Sequence, residues 1–122
     1  MLKKKYRLTK NRHFQYIYRK GSKVNSKNLY LVYLATKFKP AKFGIVVSNK
    51  IGKAVKRNKI KRRIRAILDG LIPSINQNYN YVIVAKPQII DLGFNEIECE
   101  VKNLFKKCDM QNEKSVKNNK PA

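Results

Sequence analysis

Positively charged side chains crowd the segment from residue 50 to residue 65, where nine of the sixteen residues are Lys or Arg. If this segment is helical, Arg57, Lys61 and Arg65 recur every fourth residue and form a row on one face. Like charges at this spacing repel each other, which favours an anionic partner for the row as a whole. Arg can hold a phosphate through two parallel hydrogen bonds, whereas Lys acts as a point charge. The row therefore predicts contact with a nucleic-acid backbone, although any one of these charges is also compatible with a solvated surface.

Three aromatic residues are candidates for stacking on nucleobases. Phe14 and Tyr18 lie one turn apart in a predicted helix, and Tyr30 lies in a strand predicted further along the chain. Aromatic rings bind the bases of single-stranded nucleic acid because every base has a π-face. Aromatic pairs at this spacing are also common in the cores of small domains, and the spacing alone favours core packing. Both interpretations stay open at this point.

The chain offers few side chains for catalysis. Metal-dependent phosphodiester cleavage needs carboxylates to hold Mg²⁺, and no Asp or Glu precedes Asp69. His13 is the only histidine, and no second acid or base stands at a spacing that pairs with it. Cys99 and Cys108 stand in no zinc-binding spacing, so we expect both to be reduced and structural. We predict no catalytic residue and no metal site in this chain.

The net charge of +22 is unevenly distributed along the 122 residues. Residues 1–68 contain 22 Lys or Arg and no acid, whereas residues 69–122 contain seven of each. Self-repulsion on this scale destabilises a compact chain, so a polyanion is the expected partner, with nucleic acid favoured over an anionic membrane. No apolar run approaches the roughly 18 residues that span a bilayer. Because no apolar secretion segment follows the first lysines, we expect a cytoplasmic protein without membrane contact.

The elements that must position these residues begin with a helix and continue with strands. A helix is expected from Thr9, a good N-cap residue, to Gly21, which suits a left-handed position after the last turn. A short extended segment near residues 22–25 comes next. Strands are expected over residues 29–37 and 43–48, which are rich in aromatic and β-branched residues.

The second half of the chain adds two helices and a strand. A helix is expected over residues 54–71, where five apolar residues share one face: Ile60, Ile64, Ile67, Leu68 and Leu71. The apolar run at residues 81–85 is typical of a strand buried on both faces. An amphipathic helix over residues 93–108 follows, and the polar residues 109–122 are expected to be disordered. Residues 1–108 thus form one α+β domain, a two-layer sandwich of a sheet and its covering helices, with a mobile basic arm at residues 1–7.

The segment FGIVVSNKIGKAVKRNKIKRRIR, residues 43–65, resembles the signature of the bacterial ribonuclease P protein family, whose centre is an Arg-Asn-Arg run on a helix. The resemblance extends upstream through Gly21 to Arg7 and downstream through YVIVAKP to the last helix, over about 100 residues. It implies the element order helix, three strands, helix, strand, helix. It also implies a left-handed β-α-β crossover, which is uncommon, as in a domain of a small-subunit ribosomal protein.

The resemblance also implies a division of labour in an enzyme that removes the 5′ leader of precursor tRNA. The RNA subunit and its Mg²⁺ ions cut the precursor, while the protein binds the RNA subunit and the leader. One protein per RNA subunit is expected, with no DNA partner. A structural ribosomal or general RNA-binding protein is the alternative compatible with the same charge and fold class. A protein-only nuclease acting through His13 is a third hypothesis, and it has the least support.

Site residues follow from the resemblance position by position. The residues expected to bind the RNA subunit are Lys50, Lys53, Arg57, Asn58, Lys59, Lys61, Arg62 and Arg65. Those expected to bind the leader, in a cleft between the first helix and the sheet, are Phe14, Tyr18, Tyr30, Ser48, Lys53 and Lys86.

Three positions depart from the family pattern. Lys59 replaces an Arg and keeps the charge without the paired hydrogen bonds, and Tyr18 stands where Phe is common. Asn49 stands where Lys or Arg is usual, which implies a weaker or different RNA contact. Apart from these three departures, counting from Gly21 places Val32 where the family usually has a cleft aromatic, which leaves Tyr30 or Tyr33 to serve. We select Tyr30 because it shares the face of Val32.

Overall fold

A computed structural model of the chain describes residues 4–37, 40–76 and 78–119. Its described helices and strands, apart from short 3-10 turns, are α1 (Asn11–Lys20), β1 (Ser22–Asn25), β2 (Leu29–Ala35), β3 (Phe43–Val47), α2 (Ala54–Leu71), β4 (Tyr79–Ala85) and α3 (Phe94–Asn119). This order agrees with the predicted one. None of the described helices is long and apolar enough to span a membrane.

The four strands form one mixed sheet in the order β1-β2-β4-β3. β1, β2 and β4 pair antiparallel, whereas β3 runs parallel to β4, so the chain crosses from β3 to β4 through α2. β4 is buried on both faces from Tyr81 to its end, as its apolar sequence predicts. The hand of this crossover stays a prediction of the resemblance.

Alternate residues of the strands pack against different helices. On β2, Leu29, Leu31 and Tyr33 join the large core formed with α2 and α3, whereas Val32 joins a smaller cluster with Ile17 of α1. The α+β class is confirmed, and the arrangement has one more layer than the predicted two. The reason is that α1 covers the face of the sheet opposite α2 and α3.

The apolar stripe of α2 faces the sheet as its spacing predicts. Ile60, Ile64, Ile67 and Leu68 are all buried in the large core. From α3 the same core receives the residues Ile97, Val101, Leu104, Phe105 and Cys108. Burial of these side chains against the sheet leaves the charged faces of both helices in solvent, which fixes the direction of the basic row on α2.

Both ends of α1 differ from the prediction. The N-cap residue is Lys10 rather than Thr9, and no side chain caps the first turn. Gly21 has φ −80°, so it is not left-handed. Its small size is needed for another reason, because a Cβ there would lie 2.6 Å from the carbonyl oxygen of Ile17 and 2.7 Å from that of Tyr33. The glycine lets the chain turn closely from α1 into the sheet.

The two ends of the domain are also more ordered than expected. In the predicted mobile arm, residues 1–3 lie outside the described residues, Lys4–Tyr6 form a 3-10 turn and Arg7 bridges to Phe43 of β3. α3 continues past Cys108 to Asn119, where a disordered tail was predicted, and residues 120–122 of that tail lie outside the described part. No Gly or Pro interrupts the sequence until Pro121, so nothing in it breaks the last helix earlier.

Candidate nucleic-acid interface

A groove of about 460 Å³ runs between α1, β3 and the first turns of α2. It is lined by the residues Asn11, Phe14, Gln15, Tyr18, Ile45, Val46, Val47, Asn49, Arg57 and Lys61. We call it the aromatic groove. It brings the aromatic pair of α1 and two members of the basic row of α2 into one site, although these residues are more than 35 positions apart in the sequence. None of its lining residues is acidic.

The ring of Phe14 fits into this groove because Gly44 of β3 has no side chain. A Cβ at Gly44 would lie 2.7 Å from Cζ of Phe14 and 3.2 Å from Cδ2 of Leu8, both inside ordinary van der Waals contact. Gly44 therefore provides the space in which the ring packs against the sheet. Phe14 is half-buried and packs on the smaller cluster that includes Ile17 and Val84.

Tyr18 is the more exposed ring of the pair, with 40% of its surface accessible. Partial burial, followed by the proximity of Tyr30, raises the pKa of Tyr18 to about 12. A tyrosine hydroxyl is already neutral at physiological pH, and this shift extends the neutral range upward, so Tyr18 presents no negative charge to RNA. Tyr30 is half-buried on the same face of the sheet, and the ammonium of Lys23 lies 4.1 Å from its ring centroid. The predicted face of Tyr30 is thus confirmed, although Tyr30 does not itself line the aromatic groove.

Arg57 is the charged group at the α2 side of the aromatic groove. Its Nη1 donates a hydrogen bond of 2.6 Å to Oδ1 of Asn49, which lies in the 3-10 turn Asn49–Ile51 before the helix. Ser48 caps this turn, because its Oγ accepts a hydrogen bond of 3.1 Å from the backbone N–H of Lys50. The Nε of Arg57 is buried without a hydrogen-bond partner among the described residues. Asn49 thus orients the guanidinium through Nη1, whereas Nε has no hydrogen-bond partner among the described residues.

A second groove of about 470 Å³ lies along the solvent face of α2. It is lined by Val55, Asn58, Lys61, Arg62 and Arg65, and we call it the outer groove. Val55 is 76% exposed and is the one apolar side chain among these lining residues.

The predicted row of Arg57, Lys61 and Arg65 is therefore divided between two surfaces. Arg57 lines the aromatic groove, Arg65 lines the outer groove and Lys61 lines both. The two grooves are thus adjacent surfaces that share one cationic side chain.

Besides Tyr30, five predicted site residues lie outside both grooves as far as the described lining residues show, and one of them is Ser48, the cap of the turn before α2. Lys50, Lys53 and Lys59 are exposed on and before α2. Lys86 is half-buried, and its Nζ donates a hydrogen bond of 2.7 Å to the carbonyl oxygen of Ser26. This bond ties the end of β4 to the turn between β1 and β2, so Lys86 already has a structural partner.

His13 lies on the other side of α1, in a groove of about 400 Å³ that also contains Tyr16, Lys37 and Lys42. No carboxylate lines that groove, so no acid stands beside His13 there to form a catalytic pair. Within residues 4–37, 40–76 and 78–119, no group of three His, Cys, Asp or Glu side chains could hold a metal ion. Cys108 is buried and Cys99 is exposed, and the two do not form a disulfide bond with each other.

Sequence reasoning missed two residues that shape the aromatic groove. Gly44 was not singled out because its function is the absence of a side chain opposite Phe14. Asn49 was noted only as a lost positive charge, whereas its side-chain oxygen holds Arg57. An Asn eight residues before an Arg gives no periodic signal, since the two lie in different elements.

An aromatic groove joined to a basic helix on a small α+β domain is typical of a protein that binds single-stranded nucleic acid. The family model for ribonuclease P matches residues 2–109 of this chain. The ribonuclease P protein component of Bacillus cereus is 36% identical over 116 residues, which cover 93% of this chain and 97% of that protein. The chain belongs to the ribonuclease P protein family, and the resemblance noted in the sequence is confirmed.

Solved structures agree with this assignment. A ribonuclease P protein from Staphylococcus aureus superposes with a TM-score of 0.78 at 32% identity, covering 84% of this chain and 94% of the other. The ribonuclease P protein from Thermotoga maritima gives a TM-score of 0.77 at 26% identity, covering 83% of this chain and 96% of the other. The fold described above is therefore the fold of the family.

Proposed function

We propose that the chain is the protein subunit of ribonuclease P, and that it binds both the RNA subunit of this enzyme and the 5′ leader of precursor tRNA. The observation that carries the proposal is the pair of adjacent grooves that share Lys61. One groove is lined by aromatic and cationic groups, which suit a single strand. The other is lined by three cations and an amide on one helix face, which suit a phosphate backbone.

In the aromatic groove, bases of the leader stack on Phe14 and Tyr18 while its phosphates approach Arg57 and Lys61. Stacking of this kind contributes roughly 1–3 kcal/mol per base and tolerates any base sequence. A contact made through π-faces and phosphates therefore does not depend on the base sequence of the leader. Tyr30 supports the platform from the strand beneath it and is not a direct contact in this proposal.

On the outer groove, the RNA subunit is bound through its phosphates. The residues that we assign to this contact are Asn58, Lys61, Arg62 and Arg65, with Lys50, Lys53 and Lys59 as exposed charges around them. Arg57 moves from this set to the leader set, because it lines the aromatic groove. Ser48 acts as a cap and Lys86 as a structural tie in this proposal.

The side chains that line the two grooves do not fit a magnesium centre. Carboxylates are the protein ligands that Mg²⁺ prefers, and none lines either groove. We therefore assign cleavage and the Mg²⁺ ions to the RNA subunit. The protein contributes binding, and by bringing cationic groups near the RNA it lowers the repulsion that Mg²⁺ must otherwise screen. One protein per RNA subunit and a cytoplasmic location complete the proposal.

The test is cleavage of a 5′-extended precursor tRNA by the cognate RNA subunit at low Mg²⁺, with and without this protein. The proposal expects strong stimulation by the wild-type protein and loss of most of it when Arg57, Lys61 and Arg65 are changed to Ala. The matched control removes the same charge from exposed positions of α3, by changing Lys102, Lys106 and Lys107 to Ala.

The control should stimulate nearly as well as wild type, because α3 lines neither groove. Absence of stimulation by the wild-type protein would contradict the proposal and favour a general RNA-binding protein. Equal loss in the two triple variants would mean that total charge, and not the position of the charge, determines the effect.

A further inference from the structure

The contact between Asn49 and Arg57 joins two elements at the edge of the aromatic groove. Asn49 opens the 3-10 turn Asn49–Ile51, and Arg57 lies in the first turns of α2. The hydrogen bond from Nη1 to Oδ1 is short, at 2.6 Å, and the donor carries the charge. Hydrogen bonds of this kind are stronger than those between neutral groups.

Within the described residues, Asn49 is the only side chain that forms a hydrogen bond with the guanidinium of Arg57. No carboxylate lines the aromatic groove. An amide oxygen orients the cation without neutralising its charge. An acidic partner would also orient it, but it would cancel the attraction for phosphate. Asn49 thus leaves the positive charge of Arg57 uncompensated, so the charge still attracts an anion.

The Nε atom of Arg57 adds a second indication. It is buried and has no hydrogen-bond partner among the described residues, and an unsatisfied donor on a buried cationic group is unfavourable. A buried donor of this kind is explained by a water molecule or an ion that completes its hydrogen bonding, or by a functional role of the group. The guanidinium lies at a groove that contains two aromatic rings and one further cation, and such a groove suits an anionic group on a strand whose bases reach the rings.

We propose that Asn49 is a positioning residue that holds Arg57 in place for a backbone phosphate of the leader strand. This inference rests on the proposed function, because it takes the aromatic groove to be the site of the leader. The inference assigns a function to the side-chain amide of Asn49. From the sequence alone, this residue implied only a weaker or different RNA contact. Asn49 does not touch the RNA in this arrangement, and it acts through Arg57 alone.

The test is a double-mutant cycle on the assembled enzyme with precursor tRNA and with mature tRNA that lacks the leader. Asn49→Ala should weaken precursor binding roughly three- to tenfold, the range for losing the orientation of one charge-assisted hydrogen bond. Binding of mature tRNA should be unchanged. Asn49→Leu, which keeps the size of the side chain without the acceptor, should give the same result if Ala disturbs the turn.

The second arm of the cycle uses Arg57→Lys, which keeps the charge but has no planar guanidinium for Asn49 to orient. In that background Asn49→Ala should have almost no further effect on precursor affinity. Asn103→Ala on the exposed face of α3 is the matched control and should leave both affinities unchanged. Circular dichroism of each variant checks that the fold is retained.

Additive effects of Asn49→Ala and Arg57→Lys would overturn the inference, as would an equal loss for precursor and mature tRNA. Failure of the proposed function gives a different result. If the wild-type enzyme does not distinguish precursor from mature tRNA, the groove does not bind the leader and both proposals fail. If it distinguishes them and the cycle is additive, the inference about Asn49 fails alone.

Discussion

Replacing Gly44 with Ala should damage the aromatic groove through one added methyl group. The new Cβ would lie 2.7 Å from Cζ of Phe14, whereas carbon atoms in contact prefer about 3.5–4.0 Å. The ring must therefore move by about 1 Å, or the strand must shift beneath it. Overpacking of this kind costs about 1–3 kcal/mol of unfolding free energy.

The measurement is chemical unfolding followed by far-UV circular dichroism, since the chain has no Trp. Gly44→Ala should lower the unfolding free energy by about 1–3 kcal/mol. In a Phe14→Ala background the same change should cost much less, because the ring is gone and only the contact of 3.2 Å with Cδ2 of Leu8 remains. Precursor affinity of the assembled enzyme should fall with Gly44→Ala, while mature tRNA binds as before.

Gly70→Ala is the matched control for this prediction. Gly70 lies in α2, and a Cβ there meets no atom within 4 Å. This substitution should raise the unfolding free energy by about 0.5–1 kcal/mol, because Ala is the better helix former. If Gly44→Ala destabilises equally with and without the Phe14 ring, the contact between β3 and α1 does not shape the groove and the reasoning is refuted.

Three further predictions concern single side chains. Glu100→Ala should lower the free energy of unfolding by about 1.5–3 kcal/mol. The reason is that the Glu100 carboxylate accepts hydrogen bonds of 2.8 and 2.9 Å from the backbone and the side chain of buried Asn28. Glu98→Ala should lower it by about 0.5 kcal/mol or less. Burial, and after it the neighbouring Tyr30, raises the pKa of Tyr18 from 10.0 to about 12. The contribution of the neutral Tyr18 hydroxyl to the free energy of unfolding is therefore complete below pH 10 and is lost as the pH rises through about 12. Arg57→Ala should reduce the slope of log affinity against log salt by about 0.7–1, the contribution of one phosphate contact.

Each of these has its own measurement. Urea unfolding compares Glu100→Ala with Glu98→Ala, and equal costs would mean that the bonds to Asn28 contribute nothing. The pH dependence of unfolding should be shallower for Tyr18→Phe than for wild type above pH 10, and identical curves would contradict the burial argument. An unchanged salt slope for Arg57→Ala in precursor binding would mean that this guanidinium touches no phosphate.

Much of the fold is predictable because local patterns and tertiary packing agree. The stripe from Ile60 to Leu68 has helical spacing, and the structure buries it. The run at the end of β4 is apolar at every position, and both faces of it are covered. In each case the residues whose pattern predicts the helix or strand are also the residues that pack in the core.

The rest depends on contacts between distant residues, which leave no periodic trace. Gly21 and Gly44 are needed where backbone or ring atoms approach closely, and the sequence does not say what approaches them. The helical row of Arg57, Lys61 and Arg65 is real, but its division between two grooves depends on where α1 lies over the sheet. The order of the elements could thus be predicted, and the shape of the site could not.

The central claim is that the leader and the RNA subunit occupy different, adjacent grooves. Site-specific cross-linking tests it most directly, with a photoreactive group attached to a cysteine at position 18 or at position 65 in a Cys99→Ser background, which removes the exposed thiol. The account predicts that the group at position 18 cross-links leader nucleotides and the group at position 65 cross-links the RNA subunit. Cross-linking of the leader from position 65 but not from position 18 would contradict it.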